Sequence, residues 1–529
     1  MSASKPSATG APGVSGAAAD AKRPYDPARL RHVHFIAIGG TGMGSLAGLV
    51  KARGIRVTGS DKKLYPPMST ALEDWGIVPI EGFAAENVLR ERPDLVVIGN
   101  AVRRDNPEAV AAIEAGLPFR SFSDALYELA ISKRHCLTIA GTHGKTTTTN
   151  LAAQLLEATG RDPSLLVGGI SLDFGGSFRE GQGPHFVVEG DEYDTAFFDK
   201  TPKFLHYHPN TLILTSVEFD HADIYRDLDH VKSAFRALVA QMAKDATIVA
   251  AVGHDGVRDV LAQAPCRVIG YAVERGGEGG QAERSTGVGS DESAGRPAAD
   301  AVGSARWVAS RLRPEKNGLR FNLEDREKQR SYEVVSPLFG AHNVENVVGV
   351  LAALDSLGVP IEQAIAALPR HLGVKRRQEV RGVAAGVTVI DDFAHHPTAV
   401  KGTIEAIAQR HPGSRVVALL EPRTNTSRRA IFQDDYVEAL MSAGRVAIAE
   451  VGSEPIYSIT GEVTEILSSK KVAEALRQRG RDAAAFEGIE AMIDWVVAGR
   501  REGDVVLVMS NGAFGGIWEK LLEALARAA

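Results

Sequence analysis

The segment GTHGKTTTT, residues 141–149, carries the residue types of a phosphate site. An apolar run, HCLTIA (135–140), precedes it and an apolar-spaced stretch follows it, so it reads as strand, glycine loop and helix. In such a turn, backbone N–H groups converge on phosphate oxygens and the helix N-terminus adds a favourable field. Gly141 and Gly144 allow close approach, because a Cβ would hold the phosphates away; Thr142 and His143 complete the loop between them. Lys145 is placed to reach the β- and γ-phosphates of ATP, and Thr146 to offer a hydroxyl to Mg²⁺, with Thr147 next in line. The spacing GxxGKT is shorter than the general GxxxxGK[ST] loop. Thr is a mediocre helix former, so a run of them at a helix start suggests use. The bland alternative is a glycine-rich helix cap.

Other segments carry chemistry of lower specificity. VVEGDEYD (187–194) sets carboxylates at the end of an apolar run, and oxygen donors suit Mg²⁺. AHNVENVVG (341–349) offers Asn343 and Asn346, whose amides both donate and accept, as a purine edge requires. HFIAIGGTGMG (34–44) is a second strand, glycine turn and helix, with an acid after the next strand in GSD (59–61). A nicotinamide dinucleotide is one reading of that fingerprint; the separate phosphate loop at 141–149 weighs against it.

The elements needed to hold these residues imply an α/β protein of several domains. At 529 residues the chain exceeds one hydrophobic core and predicts about three or four domains. Apolar runs at 32–40, 55–61 and 94–100 alternate with helical stretches, as parallel βαβ units do; this first block spans 30–134. The second, 135–370, adds strands at 185–191, 211–217 and 246–252, with further strands from Trp307 and a helix at 341–358. The third, 371–529, alternates strands at 387–393, 415–421, 445–450 and 504–510 with helices. Residues 274–305 are Gly, Ser, Glu and Ala rich and read as a flexible insertion, and 1–25 as a disordered polar tail. A net charge of −6 argues against a general nucleic-acid or membrane-surface binder. No apolar run approaches a membrane span, the first residues lack a signal peptide's apolar core, and Cys136 and Cys266 show no metal spacing. These features predict a cytoplasmic protein with free thiols.

Together, GTHGKTTT, VVEGDEYD, VEFDHADIY, AHNVENVVG, VKRRQEV (374–380) and IDDFAHHPTAV (390–400) resemble the Mur ligases. The loop is also similar to that of the folylpolyglutamate synthases. The resemblance runs from about residue 32 to 520 and implies three domains: a Rossmann-like UDP-sugar domain, a central P-loop ATP-binding domain with a parallel sheet, and a C-terminal Rossmann-like α/β domain. It implies ATP-dependent amide-bond formation through an acyl phosphate. Carried over by motif, Thr146, Glu189 and His221 would be metal ligands, and Lys145 and Arg377 would contact the phosphates. Asn343 and Asn346 would meet the adenine, Asp392 a ribose hydroxyl, and His395 and His396 the nucleotide edge. In the first domain, Gly40, Thr41, Gly42, Met43 and Gly44 would hold the UDP diphosphate, Ser60 and Asp61 the ribose or uracil, and Asn100 and Arg103 would face the same crevice.

Two branches of the family share this short first domain. One adds free L-alanine to UDP-N-acetylmuramate; the other adds the tripeptide L-alanyl-γ-D-glutamyl-meso-diaminopimelate during wall recycling. YPPMST (65–70), DEYDTAFFDK (191–200), LEPRTNT (420–426) and MSNGAFGGI (509–517) look like the tripeptide branch. Arg423 could then pair with a peptide carboxylate and Asn425 with peptide backbone.

Overall fold

The computed structural model describes residues 23–64, 68–274, 305–452, 454–458 and 461–528. Most of the expected tail, residues 65–67 of YPPMST and nearly all of the expected insertion lie outside the described residues. The chain divides into two compact units, residues 1–133 with 194–207, and 134–193 with 208–529.

The first unit is built on five parallel strands in the order Ile80–Glu81, Arg56–Asp61, His32–Ile36, Leu95–Ile98 and Phe119–Ser121. His32–Ile36 lies at the centre and is buried throughout, as a strand covered on both faces must be. The order reverses between this strand and Leu95–Ile98, which opens a crevice beyond their C-terminal ends. Residues 194–207 also belong here, a departure from the expected 135–370 block. Their hairpin, Asp194–Ala196 with Asp199–Pro202, carries Phe197 and Phe198 onto the core around Ile36, Val96 and Phe119. Ser123 bonds Thr195 at 2.6 Å, and His206 meets Asp124 at 3.0 Å.

In the second unit, a ten-stranded sheet has His135–Ala140 between Thr211–Leu214 and His185–Gly190. The middle of the sheet is parallel, as expected, but both edges turn antiparallel. Strands Trp307–Glu315, Gly318–Asp325 and Arg330–Ser336 form a meander at one edge. Helices Lys145–Ala158 and Ala341–Ser356 pack on the sheet through Leu151, Leu155, Val347 and Leu351. A six-stranded sheet follows, with Val387–Asp392, Val505–Met509, Val416–Leu420, Arg445–Ala449 and Asp482–Phe486 parallel and Glu379–Ala384 antiparallel at the edge. Its two faces are covered by separate apolar clusters, which explains why VVALL and VVLVM are buried at every position.

A charged clamp ties the meander to helix Ala341–Ser356. Arg306 donates to Asp325 and Asp355, both at 2.8 Å, and all three side chains are largely buried. Removing one partner leaves buried charge uncompensated. Arg306→Ala is therefore expected to reduce unfolding free energy by about 3 kcal/mol, read by denaturant titration; an unchanged midpoint would rule out the clamp.

Candidate active site

The nucleotide loop is shaped by the strands beside it. Gly141 has φ +140° and a Cβ there would lie 2.1 Å from Thr215 Oγ1; Gly144 has φ +82° and its Cβ would lie 2.6 Å from Asn346 Oδ1. Gly141 is thus required by conformation and by the Ser216 backbone, and Gly144 by its left-handed conformation. Two loop amides are turned away from any ligand, contrary to the expected full cradle: Thr142 N–H donates to Ser216 O and His143 N–H to Ser216 Oγ, both at 3.0 Å. The helix Lys145–Ala158 begins at Gly144 with no side-chain cap, so its first-turn N–H groups suit an anion. Of the threonine run, Thr146 and Thr147 stand at the loop, whereas Thr148 and Thr149 are fully buried in the helix.

Lys145 is largely buried and its Nζ donates to Gly141 O at 2.6 Å, to Thr142 O at 3.2 Å and to Glu192 Oε2 at 2.9 Å. Burial alone would depress its pKa, but Glu192 and Asp191 outweigh burial and raise it. Glu192 lies within VVEGDEYD, where residue type alone does not single it out among the neighbouring acids. The parallel pairing of Ile139 with Glu189 and Ala140 with Gly190 brings that acidic turn beside the loop.

Glu189 Oε1 accepts Gly168 N–H at 2.7 Å, and its Oε2 accepts the Thr146 hydroxyl at 3.3 Å. Burial raises its pKa, against the pull of Gly168 N–H, Lys145 and Arg377. Two hard oxygen donors at this spacing, beside the lysine, fit a Mg²⁺ site. Arg377 Nη2 reaches Thr146 Oγ1 at 3.3 Å, and its guanidinium lies 4.9 Å from the Phe393 ring centroid.

His221 stands beside the same acidic turn. Its Nε2 contacts Glu192 Oε1 at 2.9 Å, its Nδ1 faces Asp220 at 4.0 Å, and Tyr193 packs at 4.3 Å between ring centroids. Burial opposes its charge, but Asp220 and Glu192 raise its pKa to about 9. In this arrangement the imidazolium is a counter-charge to the acids; a divalent cation at Glu189 would replace that charge and leave the neutral ring as a donor.

The loop opens into a cleft of about 910 Å³ lined by His143, Thr147, Asn343, Asn346, Arg377 and Asp392. Asn343 Nδ2 is turned to Phe339 O at 2.8 Å, and its Oδ1 accepts Asn346 Nδ2 at 3.2 Å. Asp392 accepts N–H groups from Gln378 and Ala394, both at 2.8 Å, and burial raises its pKa. It fastens the chain immediately after Arg377 and retains lone-pair capacity for a hydroxyl. His395 Nδ1 pairs with Phe393 O at 3.0 Å, and His396 caps helix Pro397–Arg410. Asn425 hydrogen-bonds Asp223, and Thr426 Oγ1 accepts Ala222 N–H at 2.9 Å, so this loop docks on EFDHADIY. Asn425 is therefore engaged within the chain, while Arg423 is exposed beside a second cavity with Arg428 and Glu450.

In the first unit, Gly40 caps helix Thr41–Ala52, and both Gly40 and Thr41 are exposed. Gly42 packs against the Phe122 ring, whereas Met43 and Gly44 are buried in the helix packing. Asp61 Oδ2 accepts Gly39 N–H at 2.8 Å and so shapes the glycine turn itself. Ser60 is a correction: it is fully buried and donates to Glu108 at 2.7 Å, within a cluster that also holds His34. Asn100 is half-buried after Leu95–Ile98, and Arg103 is exposed, 3.7 Å from Asp105.

The raised His221 pKa has a stability consequence. Its stabilising charge is complete below about pH 6.5 and disappears as pH rises through about 9. Metal-free protein should lose melting temperature across that window, and His221→Asn should flatten the loss. A wild-type midpoint independent of pH there would contradict the arrangement.

Three segments match the Mur ligase family: its "catalytic domain" over residues 32–134, its "middle domain" over 139–354 and its "glutamate ligase domain" over 375–512. The UDP-N-acetylmuramate--L-alanyl-gamma-D-glutamyl-meso-2,6-diaminoheptandioate ligase of Escherichia coli (strain K12) is 38% identical over 499 residues, covering 94% of this chain and 99% of that protein. A UDP-N-acetylmuramate--L-alanine ligase of Variovorax paradoxus (strain S110) is 34% identical, covering 94% of this chain and 96% of its own length. The crystal structure of a murein peptide ligase from Psychrobacter arcticus 273-4 superposes with a TM-score of 0.66 at 31% identity, covering 94% of this chain and 99% of that one. No described helix is long and apolar enough to cross a membrane. With Glu189 and the third-block Arg377 meeting at Thr146 of its phosphate loop, and matches along nearly its whole length, the chain belongs to the Mur ligase family of ATP-dependent amide-bond-forming enzymes.

Proposed function

We propose that the chain joins the tripeptide L-alanyl-γ-D-glutamyl-meso-diaminopimelate to UDP-N-acetylmuramate, with ATP consumed, in peptidoglycan recycling. The observation that carries the chemistry is the meeting, at the nucleotide loop of the second unit, of Lys145 with Glu192 and of Thr146 with both Glu189 and Arg377. The choice of tripeptide is supported by the greater identity to the Escherichia coli tripeptide ligase, 38% against 34% for the Variovorax alanine ligase.

In this reading the lactyl carboxylate of the nucleotide-sugar attacks the γ-phosphorus of ATP, giving an acyl phosphate and ADP. The tripeptide's alanyl amine then attacks the acyl carbon and phosphate leaves. Lys145 exchanges Glu192 for the phosphates, and Arg377 offsets charge as the phosphoryl group moves. Thr146 and Glu189 would hold Mg²⁺, which supplies Lewis-acid neutralisation of the phosphate oxygens when bound. Asn346, against Gly144, and Asp392 are the groups in the cleft suited to the nucleoside. Gly40, Thr41 and Asn100 are the first unit's candidates for the nucleotide-sugar, and Arg423 is the exposed candidate for a peptide carboxylate. The reaction needs water excluded, since water would consume the acyl phosphate.

Lys145→Ala should abolish ADP release while leaving nucleotide-sugar binding measurable by calorimetry; wild-type turnover in that variant would remove the phosphate-loop assignment. Phosphate release by wild-type protein should require ATP, UDP-N-acetylmuramate and tripeptide together. If free L-alanine supports turnover and tripeptide does not, the alanine-ligase reading replaces this one.

A further inference from the structure

Glu218 has no part in the chemistry above, yet it joins three segments of the second unit. Its main chain is bound to the nucleotide loop reciprocally: Glu218 N–H donates to Thr142 Oγ1 at 2.8 Å, and that hydroxyl donates to Glu218 O at 3.3 Å. Its side chain points to the third block. Oε2 accepts the Thr398 hydroxyl at 2.7 Å, and lies 3.4 Å from His143 Nε2 and 4.0 Å from His396 Nδ1. The His143 and His396 rings are 4.8 Å apart, and His396 packs in turn on Phe432 at 5.1 Å. His143 and His396 hold the Glu218 carboxyl well below the usual carboxylate range against the effect of burial, so it is an anion at neutral pH.

The carboxylate and the two imidazoles lie close enough to suggest a metal. However, His396 Nδ1 already accepts Thr398 N–H at 3.3 Å as the cap of helix Pro397–Arg410. The arrangement is that of a hydrogen-bonded latch. One end is fixed to the loop that shapes the phosphate site, and the other grips the first turn of a helix in the block that supplies Arg377 and Asp392.

We propose that Glu218 is a positioning residue for the ATP-dependent step: by holding Thr398 it seats the third block on the nucleotide loop, and so sets where Arg377 stands. The inference rests on reading the cleft as the ATP site. Glu218 and Thr398 both line the cleft, but they are bonded to each other; losing the latch should therefore slow turnover far more than it weakens nucleotide binding, because the pair acts through the block's position.

Steady-state turnover and ATP binding of Thr398→Val, Thr398→Ser, Glu218→Gln and the Glu218→Gln/Thr398→Val double variant test this. Thr398→Val should lower kcat roughly tenfold, about the effect of one lost charge-assisted hydrogen bond, with the ATP dissociation constant changed less than about twofold. Thr398→Ser should restore kcat, and the double variant should be no worse than the poorer single one. Wild-type kcat in Thr398→Val, a serine variant no better than valine, or additive losses would overturn the latch. Wild-type protein that neither binds nor consumes ATP would overturn the nucleotide reading itself.

Discussion

A lysine ammonium in a largely buried position must be surrounded by negative charge and carbonyl oxygen, and the site is organised around that requirement at Lys145. Glu192 and the carbonyls of Gly141 and Thr142 supply it. Glu192 is itself nearly inaccessible, so it needs more than one cation; His221 is the second. Burial raises the Glu192 pKa, but Lys145 and His221 more than offset this and lower it. The result is a chain of alternating charge in which each member is tolerable only because of the next. Polyphosphate bound at the loop would compete with Glu192 for the ammonium and relieve its burial among carboxylates.

This charge chain exists because two strands run in register. Ile139 pairs with Glu189 and Ala140 with Gly190, so the phosphate loop and the acidic turn leave the sheet side by side. A slip of one residue would turn Glu189 to the opposite face and remove it from Thr146. The neighbouring strand Thr211–Leu214 contributes from the other side, where Thr215 and Ser216 bind the loop backbone through His143 O and through the amides of Thr142 and His143. The loop is therefore held by both neighbours of its own strand, and Gly141 is the position where Thr215 and Ser216 leave no room for a Cβ.

The third block completes the cleft with a different device. Its loop at 374–378 is fastened to Asp392 through Gln378 N–H, and Arg376 reaches Asp391 at 3.2 Å, which leaves Arg377 directed at Thr146. Phe393 underlies the guanidiniums of both Arg376 and Arg377. An arginine braced on an aromatic face loses less conformational freedom on meeting a phosphate than a free one.

Much of this was legible in the chain. Strand, glycine loop and helix at 135–158 follow from apolar runs and punctuation, and the alternation of the third block follows from fully apolar strands. Residue type and loop position named Lys145 and Thr146, whereas Glu189 was singled out among the acids of VVEGDEYD only by the family resemblance. The antiparallel edges of the central sheet were not visible, because hydrophobic pattern reports burial and not strand direction. The membership of 194–207 in the first unit was equally hidden: Phe197 and Phe198 announce a core but not which one. Ser60 and Asn425 show the same limit at the level of single residues. Their types suited ligands, but Glu108 and Asp223 had first claim on them. Sequence by itself determined the chemical vocabulary and the local turns, which depend on residues a few positions apart. Tertiary structure decided the partners, because a polar group's role depends on what the packed fold brings within hydrogen-bond reach.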